Sequence, residues 1–202
     1  MTKDIGSDER FAELKLYMSH ILGLWPGRHV RVIAVHPYEP KEMNGFTDSD
    51  VLLVIDEGRR QNDYQLKHLE SVRGRAQFLL TSALALMALV FPLLSDAAAA
   101  CNSVTRIIGM TTTILALLFF VVGSLGAASV IVAKKSIAMT DTAELSSMTG
   151  FSPRKLAHEY AIYAKVNENT RTASITVFRD AVLLILGGCV LWGVSWLVIA
   201  PS

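Results

Sequence analysis

The chain has 202 residues, 51% of them hydrophobic and 18% charged, with 19 Lys and Arg against 18 Asp and Glu for a formal net charge of +1. Such a balance sets aside the bulk basic character of a nucleic-acid binder, and two cysteines are too few for a disulfide framework. The apolar residues fall in long blocks rather than at the spacing of a water-soluble core, which puts water-soluble enzymes far behind.

From the N-terminus, Ser7 followed by Asp8 and Glu9 makes a helix start, a capping hydroxyl with carboxylates where the helix dipole favours them. Phe11, Leu14, Met18, Ile21 and Trp25 then recur every three or four residues up to Pro26-Gly27, the pattern of an amphipathic helix. Charges scattered through this stretch leave no apolar core for a cleaved signal peptide, so the first span is expected to act as its own insertion signal. RHVRVIAVH, β-branched and partly alternating, predicts a strand. PYEP predicts a turn and KEMNGFTDSD a loop. VLLVID predicts a second strand, apolar enough to be buried on both faces. Residues 1–60 are therefore expected to form a small α+β unit, helix–strand–loop–strand. Two strands and a helix make a marginal core, so the unit should pack on later helices or on a second copy.

The order helix, strand, loop and SDVLLVID resembles the nucleotidyltransferase core, in which a Gly-Ser turn follows the first strand and paired aspartates on the second hold metal. Here the turn is His36-Pro37-Tyr38, and Leu52 stands two residues after Asp50. One carboxylate does not hold the metals of that chemistry. His20, His29, His36, His68 and His158 share no metal-ligand spacing. No catalytic residue, metal or cofactor is expected, and the protein reads as a non-enzyme. The expected strand ends bring His36, Tyr38 and Asp50 together as the candidate small-molecule site.

Residues 61–202 read as a transmembrane helical domain with uncharged spans at 76–94, 107–133 and 181–200 and a helical hairpin segment at 134–180. About 20 apolar helical residues cross a hydrocarbon core of about 30 Å. A helical pattern from Asp63 (Tyr64, Leu66, Leu69, Val72) runs into the first span, which should extend into the cytoplasm as a stalk. After the second span, Asp141 and Glu144 form a capping box. Ser152-Pro153 then starts a helix that no later proline interrupts as far as Ala200. Of the Lys and Arg residues, 11 precede the first span, 7 lie between Lys134 and Arg179, and only Arg106 falls between spans one and two. The positive-inside rule then places the N-terminus in the cytoplasm and the C-terminus outside an inner membrane.

Within the spans, small residues fall at helical spacing: Thr81, Ala85 and Ala88 in the first, and Gly109, Ala116, Gly123 and Ala127 in the second. Such faces let helices approach closely in lipid, within one bundle or between copies in a homo-oligomer. Pro92 is expected to kink the first span. Trp192 and Trp196 suit an aromatic belt, and Arg179 and Asp180 suit an interfacial anchor. No ionisable side chain lies inside a span, which disfavours ion-coupled transport.

Three stretches carry a resemblance to a known group: ESVRGRAQFLLTSALALMALVFPLL, the D-T-A-E helix start, and YAIYAKVNENTRTASITVFRDAVLLILGG. They resemble small bacterial membrane proteins of the Pycsar-type and SLATT-like families, effectors of nucleotide-signalled anti-phage defence, over about 100 of the 202 residues. The paired motifs of Pycsar effectors are not cleanly present. The resemblance implies a small nucleotide ligand and triggered assembly that perturbs the membrane. The expectation is thus a membrane α-helical protein whose partner is the lipid bilayer and whose cytoplasmic part senses a ligand or partner. The alternative is a constitutive scaffold or partner-binding subunit without enzymatic activity.

Overall fold

Residues 5–25, 45–100, 102–132 and 152–199 are described by the computed structural model, and their regular elements are all helices. They are α1 (Ile5–Leu22), α2 (Asp48–Val90), α3 (Leu93–Ala99), α4 (Ser103–Val132) and α5 (Pro153–Ile199). The helix–strand unit expected at the N-terminus is not seen. VLLVID, expected as a strand, lies in the first turns of α2, and no strand occurs among the described residues. The other expected strand, RHVRVIAVH, and the D-T-A-E helix lie outside the described residues.

The local chemistry explains the change from strand to helix. The Thr47 hydroxyl accepts from the backbone N–H of Asp50, and the Asp50 carboxylate accepts from the backbone N–H of Thr47, a reciprocal capping box. Past this start, buried positions step by seven through Val51, Gly58, Gln65 and Val72, and again through Leu69, Ala76, Ala83 and Val90. That two-stranded heptad seam turns VLLVID into one end of a long helix. α2 continues through residues 60 and 61 without a break and spans about 65 Å at 1.5 Å per residue.

α5 pairs with α2 along its length. Successive contacts run from Gly58 with Tyr160, through Asn62 with Asn167, to Ala76 with Val177 and Ala181, so the two helices are parallel. Ser152-Pro153 starts α5 as the cap pattern predicts, with the Lys155 N–H donating to the Ser152 carbonyl at 3.0 Å. Each helix has roughly 28 residues, or about 42 Å, of polar stalk before its apolar stretch begins. α2 ends at the Phe91-Pro92 step, since proline lacks the N–H that would extend the helix, and α3 restarts beyond it. α4 returns antiparallel, with Gly109 near Ile199 and Gly123 near Ala181 and Ile185.

α2 continued by α3, α4 and α5 are long and apolar enough to cross a membrane, so the chain is a multi-pass membrane protein. Among them α4 is central: 44% of its most apolar window is buried, against 11% and 17% for the other two. Phe120 of α4 is fully buried and packs on Gly188, in a cluster with Ala83, Val90 and Ile185.

α1 lies where the stalk meets this bundle. A helix is expected here and one is found, and its apolar residues divide between the two sides: Leu16 and Ile21 pack beside Tyr17. Phe11, Leu14 and Met18 are exposed, as is Trp25 just past the helix end, while Tyr17 and His20 are buried. In water such an apolar stripe would be a liability. At the edge of a bilayer its neighbour is lipid.

Candidate functional site

The stalk seam is polar where a coiled coil is ordinarily apolar. Asn62 accepts at Oδ1 from the Asn167 amide at 2.9 Å, and the Gln65 amide donates to the Ala164 carbonyl at 3.0 Å. Thr170 and Ser174 are also buried, and the Ser174 hydroxyl donates to the Thr170 carbonyl. The buried Oε1 of Gln65 has no hydrogen-bond partner among the described residues. Leaving such an acceptor unmet costs about 1–3 kcal/mol. Gly58 is there for close approach, since a Cβ would fall 2.8 Å from Tyr160 Cβ. Beside this contact a crevice of about 290 Å³ opens on the stalk, lined by Leu53, Val54, Glu57, Gln61, Tyr160 and Ala161. Leu52 and Leu53 are strongly exposed next to it. Glu57 ion-pairs with Arg60 at 2.8 Å, which holds its carboxyl below the usual range.

A second arrangement ties α1 to the bundle. The Tyr17 hydroxyl donates to the Val122 carbonyl of α4 at 2.9 Å, in a slot that exists because residue 126 is glycine; a Cβ there would overlap the phenol oxygen. Burial first, then the charge of Asp180, pushes the Tyr17 phenol up to about 12. Arg179 links Glu13 of α1 at 2.9 Å and its neighbour Asp180 at 3.1 Å. Arg179 and Asp180 thus anchor α1 as well as marking the edge of the third span.

The expected ligand site is not assembled among the described residues. Asp50 is exposed and engaged in the helix cap, which lowers its carboxyl pKa through the Thr47 hydroxyl and backbone N–H. His36 and Tyr38 lie outside the described residues. The expected packing residues divide into two groups. Gly109, Ala116, Gly123 and Ala127 are buried inside the bundle. Thr81, Ala85 and Ala88 are exposed, and the Thr81 hydroxyl returns to the Phe78 carbonyl of its own helix. Asn62, Gln65 and Asn167 escaped the sequence reading, although the step of seven through Val51, Gly58, Gln65 and Val72 would have found the seam. Among the described residues no group of three His, Cys, Asp or Glu side chains is placed to hold a metal.

No family model, no curated protein and no solved structure matches the chain. The resemblance to Pycsar-type and SLATT-like proteins therefore has no support beyond the sequence patterns that suggested it.

Proposed function

We propose that this is an inner-membrane protein that converts binding at a cytoplasmic stalk into a change in its transmembrane bundle, to the point of perturbing the membrane. The N-terminus and stalk lie in the cytoplasm and the C-terminus outside, a placement that the distribution of Lys and Arg supports. The protein performs no catalytic step. The observation that carries this reading is continuity: α2 and α5 each pass without a break from the polar stalk seam into the apolar bundle. A seam of Asn62, Gln65 and Asn167 is weakly held compared with an apolar one, so two packings of the stalk can lie close in energy. A ligand preferring one of them shifts the spans with it. The crevice beside Gly58 is the natural place for that ligand, and a small nucleotide is the first class to test.

The test is a membrane-potential dye in cells expressing the protein, with candidate cyclic nucleotides supplied. Depolarisation is expected in the wild type with one nucleotide. It should be lost in Asn62→Leu/Asn167→Leu, whose apolar seam holds one packing. Unchanged potential under every nucleotide would overturn the reading in favour of a constitutive scaffold.

A further inference from the structure

Where α1 meets α4 and α5, a crevice of about 440 Å³ opens, within the range of small-molecule pockets. Its walls are apolar: Leu14 and Tyr17 from α1, Phe119 from α4, and Leu183 and Leu184 from α5. Glu13 and Asp180 lie on its polar side. Leu14 and Leu183 are each 59% exposed, so the crevice opens sideways at the level where the apolar spans begin. Its neighbour there is a lipid leaflet, and an acyl chain fits walls of this kind.

The rim chooses the headgroup. One guanidinium serves two carboxylates: Arg179 Nη2 donates to Glu13 Oε1 and to Asp180 Oδ1, and Nε donates to Asp180 Oδ1 at 3.2 Å. The three charges leave an excess of one negative. Among the described residues nothing engages Arg179 Nη1, Glu13 Oε2 or Asp180 Oδ2. The rim therefore offers one cationic donor and two anionic acceptors side by side. A phosphodiester suits the donor, and an ammonium carrying N–H bonds suits the acceptors. A quaternary ammonium has no N–H to donate, and a glycerol headgroup brings no positive charge to offset the carboxylates.

We propose that the α1–α4–α5 crevice binds a phospholipid with a primary-ammonium headgroup, its chain along Phe119, Leu183 and Leu184, its phosphate on Arg179, and its ammonium between Glu13 and Asp180. The site needs only that the apolar helices lie in a bilayer. It does not depend on the signalling role or on which side of the membrane the stalk occupies.

Native mass spectrometry of the purified protein in mild detergent tests this, with phosphatidylethanolamine, phosphatidylcholine and phosphatidylglycerol of identical chains added in turn. The ethanolamine lipid should be retained about tenfold more strongly than either of the others, the effect of one well-placed charged contact. Glu13→Gln/Asp180→Asn should abolish that preference while the helical circular dichroism is kept. Should the double variant fail to fold, Glu13→Gln alone, at an exposed site, should reduce the preference. Leu184→Trp, which fills the crevice, should reduce retention of all three lipids. Equal retention of the three lipids by the wild type, or a preference that survives loss of the carboxylates, overturns the proposal.

Discussion

Tyr17 shows how much a single side chain decides at the junction of stalk and bundle. Its hydroxyl reaches from α1 to the backbone of α4, and it fits because Gly126 has no side chain. Its phenol titrates near 12 rather than at its ordinary 10.0. An acid whose pKa is raised on docking supports the docked state fully below its undocked pKa and loses that support as pH climbs through the docked one. α1 should therefore stay docked up to about pH 10 and loosen between there and about 12. Absorbance titration of the tyrosines checks this: Tyr17→Phe should remove a late-ionising component while the others stay in place. The hydroxyls of Thr113 and Ser195, deep between α4 and α5, matter less one at a time. Each also reaches the Gly109 carbonyl, so either can be lost without orphaning the other. Ser195→Ala should cost only about 0.6 kcal/mol, the average for such bonds between helices in a membrane. Phe120→Ala should cost about 3 kcal/mol, because it empties a fully buried ring site. Thermal melting in detergent ranks the two, and a larger loss for Ser195→Ala would show the hydroxyls to be the stronger link.

At the scale of the element, the stalk is the part whose stability is most easily changed. Asn62 and Asn167 bond across a parallel seam, and polar groups at such positions hold register at a cost in stability. Asn62→Leu alone should destabilise the stalk by about 1 kcal/mol and lower the melting transition, since it removes one partner of a hydrogen bond. Asn62→Leu/Asn167→Leu should raise it above the wild type, because an apolar pair suits a seam better than an amide pair. Circular dichroism melts of the three proteins check the order, and a double variant less stable than the single one would contradict it. The same element shows where sequence reading stops. The lengths of the apolar blocks and the Ser152-Pro153 start were readable, since each depends on local chemistry or on length, and Pro92 was expected to kink the helix that it in fact interrupts. VLLVID was not readable, because a short apolar run fits a strand or a helix equally well. Its state depends on a seven-residue repeat that becomes visible only when followed as far as Val90. The spacing in α1 marks a helix but does not say which face it buries. An apolar stripe points inward when the surroundings are water, but beside a bilayer it can point outward and leave Tyr17 and His20 to meet the protein.

At the scale of the whole molecule, the bundle uses up one set of small residues and leaves the other. Gly109, Ala116, Gly123 and Ala127 of α4 are buried within the bundle, so they cannot also hold a second copy. Thr81, Ala85 and Ala88 of α2 lie on the outside, clear of α4 and α5. In lipid no hydrophobic effect drives helices together, and close backbone approach along small residues is the main available attraction. If the spans assemble, that face of α2 is therefore the one that meets its counterpart. Ala85→Cys should form an intermolecular disulfide under mild oxidation in membranes. Leu183→Cys, exposed on α5 and away from that face, should not. Both are read against a Cys101→Ser/Cys189→Ser background by non-reducing gel. Cross-linking at Ala85 that Ala88→Leu suppresses would fix the contact to the small face. Equal cross-linking at both positions would mean random collision in the bilayer, and the change proposed for the spans would then have to occur within a single copy.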